Sequence, residues 1–359
     1  MRLFTVGPVE MFDVVKAVRA QADSVPYFRT KEFSQLMLET DELLRRFANA
    51  GEGTKTVYLT ASGTAAMEAA VMNCVTEGDR LLVINGGSFG QRFVDICDIH
   101  KIPHDAVKLE YGEALDAAKL APFQNNDYSG LLVNIDETST GQLYDIKLLS
   151  DFCRKKNMYL VVDAISSFLC DEFDMAGNEI DVVIASSQKG ACISPGLSMV
   201  LLSKRIIDDR VMKSNIRSLY FDFKDYFKNF ERGQTPYTPA VGICIELSAS
   251  LKMIERTGLE RHLKNIADVA ADFREKIKAL PVSLPEFPLS NAITPIIFKE
   301  PIAYKVFEFL KDKYGIFVNP TGGKMADYSL RIAHIGQTSK EDNTMLVEKI
   351  KAVIDEMTV

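Results

Sequence analysis

The fold is decided by residues 159–202, which read YLVVDAISSFLCDEFDMAGNEIDVVIASSQKGACISPGLSMVLL. This stretch contains three short apolar runs, at residues 159–162, 181–185 and 197–202. Short runs rich in valine, leucine and isoleucine are typical of strands that are buried on both faces of a sheet. Asp163 follows the first run, and residues 186–190, SSQKG, follow the second. Because ligands bind beyond the carboxyl ends of strands in an open parallel sheet, these polar residues are candidates for a functional site.

The residues on the amino-terminal side of this stretch continue the same pattern. Further strands are predicted at residues 56–60, 80–84 and 130–135. Between the strands, apolar residues recur at helical spacing over residues 65–75, 89–100 and 146–156. Strands and helices that alternate along a chain form a mostly parallel sheet with helices on both faces. We therefore predict an α/β fold for the first two-thirds of the chain.

The pattern changes after residue 240. A long helical run over residues 240–280 is interrupted at Thr257 and Gly258, and shorter elements follow it. These are predicted strands at residues 293–298, 316–318 and 329–333, a helix at residues 303–314 and a final helix from Lys340. The mixture is typical of a smaller α+β domain. We expect an amino-terminal arm over residues 1–14, a large domain over residues 15–240, and a linking helix with the small domain over residues 241–359.

The composition is that of an ordinary globular protein and excludes several classes. The chain has 359 residues, of which 47% are hydrophobic and 25% charged, and its net charge is −7, so neither disorder nor nucleic-acid binding is favoured. No apolar run approaches the roughly 20 residues that a membrane-spanning helix needs. The six cysteines form no CxxC pair, which argues against a disulfide framework and a zinc site. We expect a cytoplasmic protein without metal, membrane or nucleic-acid partners.

Lys189 is the first candidate for chemistry, because a lysine at the end of a hydrophobic strand is costly unless it has a role. Partial burial lowers the pKa of a lysine, which is what a lysine that forms a Schiff base requires. The alternative is a lysine whose ammonium group reaches solvent from the strand end. Taken alone, Lys189 does not distinguish the two.

Asp163 strengthens the first interpretation. It ends the preceding predicted strand, and a parallel crossover would place it on the same edge of the sheet as Lys189. A carboxylate beside the pyridine nitrogen of pyridoxal 5′-phosphate keeps that ring protonated, although an aspartate after a strand is also a common helix N-cap. Ser62, Gly63 and Thr64 follow another strand and begin a helix, so they form either an N-cap or a phosphate site.

Taken together, these segments resemble the class V aminotransferases, a family of fold type I pyridoxal-phosphate enzymes. The resemblance rests on nine segments that occur in the order of the family between residues 3 and 336, which are LFTVGP, YFRTKEF, TASGTAAMEAAVMN, NGGSFGQRF, DETSTG, VVDAISSF, SSQKGACISPG, TPYTP and LRIAHIG. The segments around Asp163 and Lys189 are the specific ones. The family implies a large domain built on a mostly parallel seven-stranded sheet, a smaller α+β carboxy-terminal domain, and pyridoxal phosphate as the cofactor.

The resemblance also implies a role for individual residues. Lys189 would form the Schiff base and then move the proton of the substrate, and Asp163 would pair with the pyridine nitrogen. The other residues implied to bind the cofactor are Ser62, Gly63, Thr64, Phe89, Thr138, Gln188 and Thr238. Because Thr238 matches a residue that reaches the phosphate in the neighbouring subunit, the resemblance implies a homodimer with shared active sites.

Three residues are implied on the substrate side. Arg331 matches the arginine that binds the substrate α-carboxylate, and its planar guanidinium suits a bidentate contact. Gly7 lies in the opening segment, where TVGP replaces the TPGP that is common in the family. Arg29 is either a second anion-binding group or an ordinary surface residue.

The implied reaction is the transfer of an amino group from a small donor, alanine or serine, to a small 2-oxo acid, glyoxylate or pyruvate, by a ping-pong mechanism. Two alternatives stay open on the same fold, transfer from 2-aminoethylphosphonate to pyruvate and a lyase reaction. A cysteine desulfurase is disfavoured because no cysteine follows Cys244 and Gln188 precedes Lys189, where that subgroup has a histidine. The departures from the family pattern surround the substrate, so the sequence leaves its identity open.

Overall fold

A computed structural model describes residues 1–21 and 26–357 of the chain, and its strands and helices are numbered in chain order. The largest sheet has seven strands, which in spatial order are β2 (Lys55–Leu59), β10 (Ser198–Leu202), β9 (Val182–Ser186), β8 (Tyr159–Asp163), β5 (Gly130–Asn134), β3 (Leu81–Asn85) and β4 (His104–Lys108). Strand β10 is antiparallel to both neighbours, and the other pairings are parallel. The sheet confirms the predicted mostly parallel α/β fold.

Two helical layers cover this sheet, because its strands direct apolar side chains to both faces. The helices are α1 (Asp13–Ala20), α2 (Lys31–Phe47), α3 (Gly63–Cys74), α4 (Ser88–Ile99), α5 (Ala117–Leu120), α6 (Ile146–Lys156), α7 (Lys204–Asp209), α8 (Phe223–Phe230) and α9 (Val241–Thr257). Leu82 and Val183 pack on the side of α1, α2, α6 and α9. Val83 and Val182 pack on the opposite side, against α3, α4, α7 and α8. Burial of each such side chain contributes about 1.5–3 kcal/mol.

A second sheet of five strands has, in spatial order, β1 (Arg2–Phe4), β13 (Ile316–Pro320), β14 (Ser329–Ala333), β12 (Ile293–Phe298) and β11 (Val282–Ser283). Strand β1 is parallel to β13, and the other pairings are antiparallel. Phe273, Leu310 and Ile350 belong to the core of this unit. They come from the helices that cover the sheet, α10 (Leu259–Ile277), α11 (Ala303–Tyr314) and α12 (Lys340–Met357). The predicted smaller α+β unit is therefore present.

Outside the two larger sheets, a separate antiparallel pair of strands, β6 (Asp136–Glu137) and β7 (Gln142–Leu143), follows β5. All six cysteines are free and buried. Within the described ranges, none of the helices combines the length and apolar composition needed to cross a bilayer.

Candidate active site

The carboxyl ends of β8 and β9 bring Asp163 and Lys189 to one edge of the large sheet. The two strands are parallel, and Asp163 is in register with Ile184. Lys189 lies in the turn that follows β9, and it is only 8% exposed. The alternative in which the Lys189 ammonium group reaches solvent is therefore excluded.

Burial governs the charge of Lys189. Loss of hydration lowers the pKa of its amine to about 8, while the carboxylates of Asp136 and Asp163 act in the opposite direction. At this pKa about one lysine in ten is uncharged at pH 7. Nζ donates a hydrogen bond of 3.3 Å to Ser166 Oγ. The side chain is thus held in place and accessible in its nucleophilic form.

Asp163 is a buried carboxyl group that can accept further hydrogen bonds. It is 5% exposed, and its Oδ1 accepts a hydrogen bond of 2.9 Å from the Ile165 N–H. Burial raises the pKa of Asp163 to about 7, although this hydrogen bond and the charge of Lys189 oppose the rise. Residues 165–170 form turns, so Asp163 does not cap an α-helix. A cationic group that enters the site would stabilise the carboxylate form.

The amino terminus of α3 is open. Ser62 occupies the N-cap position without making a side-chain cap hydrogen bond, and both Ser62 and Thr64 are exposed. Gly63 packs against Ile165 so closely that a Cβ atom there would lie 2.3 Å from Ile165 Cδ1. Any larger residue would have to displace the end of the Ile165 side chain. An uncapped helix start with exposed hydroxyl groups suits a phosphate.

Phe89 lies in the first turn of α4, near Lys189. The ring centroid is 6.0 Å from Lys189 Nζ and 4.9 Å from Arg92 Cζ. The buried carboxylate of Glu137 fixes this turn, because it accepts hydrogen bonds from Phe89 N at 3.3 Å and from Gly90 N at 2.9 Å. An anion at a helix amino terminus is also favoured by the helix dipole. Glu137 therefore determines where the aromatic ring lies.

Thr138 contacts both sides of the site. Its hydroxyl oxygen is 2.7 Å from Ser166 Oγ, and its carbonyl oxygen accepts a hydrogen bond of 2.9 Å from Arg331 Nη1. Arg331 Nη2 donates to Pro320 O at 2.8 Å, and Nε has no hydrogen-bond partner among the described residues. A guanidinium has five N–H donors, so two carbonyls hold Arg331 and leave donors for a carboxylate.

The amino-terminal segment reaches the stem of Lys189. A Cβ atom at Gly7 would lie 3.0 Å from Lys189 Cε and 3.3 Å from Gln188 Cγ, and the φ of Gly7 is +141°. Gln188 Oε1 accepts a hydrogen bond of 2.6 Å from Ser186 Oγ. The chain at Gly7 therefore packs against the side chains of both Lys189 and Gln188.

Arg29 is not grouped with these residues. Its guanidinium donates to Gln234 Oε1, Thr235 O and Pro236 O at 3.0–3.2 Å, so it fastens the segment that leads to Thr238. Thr238 itself is exposed. The prediction that Arg29 binds an anion stays a prediction, while its structural use is to hold this segment.

Asp136 is the least satisfied carboxyl group at the site. It is buried, and neither of its carboxyl oxygens has a hydrogen-bond partner within residues 1–21 and 26–357. Burial, together with the nearby charge of Asp171, raises the pKa of Asp136 well above its ordinary value, and Lys189 opposes the rise. Burial thus disfavours a charge on Asp136, and a charged Lys189 nearby favours one.

Three residues at the site had no role assigned from the sequence, namely Ser166, Glu137 and Asp136. All lie inside the quoted segments VVDAISSF and DETSTG. The available signal is that all three lie in segments that follow predicted strands, at the edge of the sheet where ligands bind. Their partners depend on the turns between distant segments, which periodicity does not show.

The site has the chemical groups that pyridoxal phosphate needs. The uncapped start of α3, which has no space for a Cβ atom at Gly63, suits the phosphate. Asp163 offers a buried carboxyl group with little hydrogen bonding for a protonated ring nitrogen. Lys189 offers a partly uncharged amine for an aldehyde, and Phe89 offers an aromatic face.

The chain is similar to known aminotransferases in sequence and fold. A family description, Aminotransferase class-V, matches residues 11–340. The chain is 28% identical over 338 residues to the soluble hydrogenase 42 kDa subunit of Anabaena cylindrica, covering 92% of this chain and 87% of that protein. It is 27% identical over 354 residues to a serine–glyoxylate aminotransferase of Hyphomicrobium methylovorum, covering 93% and 84%. An aspartate aminotransferase of subgroup IV from Thermus thermophilus matches with a TM-score of 0.90 at 25% identity and 99% coverage of both chains.

Proposed function

Because the chain belongs to the class V aminotransferase family and is a pyridoxal-phosphate-dependent transaminase, we propose that it moves an amino group from alanine or serine to glyoxylate or pyruvate. The observation that carries this proposal is the placement of Lys189 and Arg331 on either side of Thr138. A base and a carboxylate-binding group so arranged suit a substrate with its amino and carboxyl groups on one carbon. The name of the Hyphomicrobium relative, serine–glyoxylate aminotransferase, supports a small donor and a small acceptor.

When bound, pyridoxal phosphate supplies an aldehyde and an electron-withdrawing ring that makes the α-proton of an amino acid removable. We assign the phosphate to Ser62, Gly63, Thr64 and Gln188. Asp163 would accept a hydrogen bond from the ring nitrogen and keep it protonated. Thr138 and Phe89 would position the ring from its edge and its face.

Lys189 has the central role in the proposed reaction. Its uncharged amine takes the proton from the α-carbon of the amino donor, which is general base catalysis. Burial favours this uncharged form, because it lowers the pKa of Lys189 to about 8. Gly7 packs against the stem of the lysine and so limits the directions in which Nζ can move.

Arg331 would bind the α-carboxylate in both half-reactions. Thr138 O and Pro320 O orient its guanidinium, and a planar guanidinium matches the geometry of a carboxylate. Because donor and acceptor both carry this carboxylate, the same arginine serves a ping-pong mechanism.

We further propose that the enzyme is a homodimer in which Thr238 reaches the cofactor phosphate of the neighbouring subunit. Thr238 is exposed, and Arg29 holds the segment before it. Next to it, Tyr237 stacks on Tyr220 with 5.3 Å between ring centroids, and Leu219 is 77% exposed. The exposed Thr238 is thus carried by an ordered segment, which supports a contact with a second subunit.

The test is a half-reaction assay on the purified holoenzyme. Alanine, serine, aspartate and 2-aminoethylphosphonate are added one at a time without an acceptor, and the yellow absorption of the lysine-bound cofactor is followed. We expect alanine or serine to bleach it and to yield one equivalent of pyruvate or hydroxypyruvate by mass spectrometry. Glyoxylate or pyruvate should then restore the absorption.

The outcomes distinguish the alternatives. Bleaching by 2-aminoethylphosphonate but not by alanine or serine contradicts the proposed donor and supports the phosphonate reaction. Release of ammonia without a pyridoxamine product supports a lyase. Sedimentation velocity at micromolar concentration tests the dimer, and a monomer with full activity contradicts shared active sites.

A further inference from the structure

Ser166 lies between the lysine and the arginine of the site. Lys189 Nζ donates a hydrogen bond of 3.3 Å to Ser166 Oγ, which is 2.7 Å from Thr138 Oγ1. Thr138 also accepts a hydrogen bond from Arg331 Nη1 through its carbonyl oxygen. These four residues form a hydrogen-bonded path from the turn after β9 to strand β14 of the small sheet.

The direction of the hydrogen bonds along this path follows from the groups involved. A lysine ammonium group only donates, so Ser166 Oγ accepts from it and directs its own proton to Thr138 Oγ1. The Thr138 hydroxyl donates to the carbonyl oxygen of Asp136 at 3.3 Å, and a carbonyl only accepts. Ser166 is buried, so bulk water does not replace it. Ser166 therefore presents an acceptor to Lys189, and an acceptor stabilises an ammonium group more than a neutral amine.

We propose that Ser166 is a positioning residue that holds the Lys189 amine in place and favours its charged form until the cofactor engages the nitrogen. The inference rests on the proposed function, because it gives Ser166 a part in presenting Lys189 to pyridoxal phosphate. Ser166 itself touches neither the substrate carboxylate nor the reacting carbon in this assignment. Its effect passes through the lysine.

A change at Ser166 leaves the charged and titratable neighbours of Lys189 in place. They come from β6, the carboxyl end of β8, the turn that follows β8 and the small sheet, and they are Asp136, Asp163, Cys170 and Arg331. Any change in the titration of Lys189 in a folded Ser166 variant therefore reports the lost hydrogen bond. Loss of a hydrogen bond to the ammonium group favours the neutral amine, so the titration should move to lower pH.

The experiment measures the capture of pyridoxal phosphate by cofactor-free enzyme, which does not depend on turnover. The rate of absorbance change is recorded from pH 6 to pH 10, and borohydride reduction followed by peptide mapping identifies the modified lysine. We expect the midpoint of the rate profile to fall by about one pH unit in Ser166→Ala. Ser166→Thr retains the hydroxyl and should keep the midpoint of the unchanged enzyme.

Ser214→Ala is the matched control. It removes a buried serine hydroxyl that donates to Val211 O at 2.8 Å, outside the site, and its midpoint should not move. If Ser166→Ala does not fold, Thr138→Val removes the acceptor of the Ser166 hydroxyl, and a downward shift of the midpoint is again expected.

Two results overturn the inference. One is a folded Ser166→Ala enzyme that captures the cofactor at Lys189 with an unchanged midpoint, and the other is an equal shift in Ser214→Ala. Failure of the unchanged enzyme to capture the cofactor at Lys189 would instead overturn the proposed function. Capture at Lys189 with no response to Ser166 refutes the role of Ser166 alone.

Discussion

The carbonyl oxygen of Thr138 lies 2.9 Å from Nη1 of Arg331, so a residue beside the lysine pocket holds the arginine of the small sheet. Strand β14 places Arg331 opposite Asn319 and Pro295 of its two neighbouring strands. The guanidinium is thus oriented before a substrate arrives. Preorganised groups of this kind lose less conformational freedom when they bind a ligand.

Arg331→Lys should weaken the binding of both substrates. A lysine cannot match the planar contact of a guanidinium with a carboxylate, and loss of one charged hydrogen bond corresponds to a roughly 10–100-fold rise in KM. Steady-state kinetics with donor and acceptor varied in turn measure the effect. The exposed Arg154 offers the control Arg154→Lys, with unchanged constants. A rise confined to one of the two substrates would contradict a shared carboxylate site.

Lys189→Ala should abolish turnover, because it removes the amine to which we assign the transfer of the α-proton. General base catalysis contributes about 10²–10⁴-fold, so activity should fall by at least this factor. Borohydride reduction in the presence of pyridoxal phosphate should no longer label the peptide around residue 189. Lys204→Ala, which changes an exposed lysine, is the control. Activity within tenfold of the unchanged enzyme would refute the assignment.

Asp163→Asn should stabilise the cofactor-free enzyme at pH 8 and weaken its hold on the cofactor. Burial raises the pKa of Asp163 from 3.8 to about 7, so between these values the folded state binds more protons than the unfolded state. The contribution of Asp163 to stability therefore falls as pH rises through this window. The shift of the Asp163 pKa by about three pH units therefore destabilises the folded protein by at most about 4 kcal/mol above pH 7.

Thermal denaturation of the cofactor-free protein at pH 5 and pH 8 measures this effect. The difference in Tm between the two pH values should shrink in Asp163→Asn and persist in Asp151→Asn, which changes a partly exposed carboxylate on α6. An identical pH dependence in Asp163→Asn and the unchanged protein would show that the carboxyl group is ionised without cost.

Glu137→Gln should destabilise the fold and disturb Phe89. Glu137 accepts hydrogen bonds from the backbone N–H groups of Phe89, Gly90 and Ser139, and an amide offers one oxygen without the charge. We expect a loss of about 1–3 kcal/mol in urea denaturation and a lower kcat. The control is Glu39→Gln, which changes a partly exposed glutamate on α2. Full stability together with reduced cofactor affinity would assign Glu137 to cofactor contact instead of helix capping.

Gly63→Ala should lower cofactor affinity by tenfold or more, on the order of 1.4 kcal/mol. The new methyl group would lie 2.3 Å from Ile165 Cδ1 and 3.1 Å from Ile165 Cγ1, so either the Ile165 side chain moves or α3 and the turn after β8 separate. Titration of the cofactor-free enzyme with pyridoxal phosphate measures the affinity. Ile165→Val removes Cδ1, so the double variant should recover part of the loss. No recovery would mean that the amino terminus of α3 is not displaced by this contact.

The main strands could be predicted from the sequence because they are local patterns. Strands β8 and β9 are nearly continuous apolar runs, and each lies within one residue of the predicted bounds. Helix α6 and strand β12 have the predicted bounds. Strand β4 was missed because HDAVK lies at the sheet edge and only Val107 is fully buried. The antiparallel direction of β10 depends on the connection between β9 and β10, so the residues of the strand itself do not indicate it.

The site could be predicted only in part, for a related reason. Asp163 and Lys189 follow apolar strands, and that position alone makes them candidates. Ser166 and Glu137 matter through hydrogen bonds to residues that are 23 and 47 positions away. Such bonds depend on how turns from separate strands meet. The sequence therefore places Ser166 and Glu137 in the segments of the site but does not indicate their hydrogen-bond partners.

The pairing of β1 with β13 has a consequence for the order in which the enzyme becomes complete. The Val6 N–H donates to Asn319 Oδ1, 313 residues away, and Gly7 next to it packs on the stem of Lys189. During synthesis on a ribosome, the large sheet can fold before β13 emerges, whereas residues 2–7 have no strand to join until then. One wall of the lysine pocket is therefore added only after residues 316–320 have emerged, although its own residues are translated early.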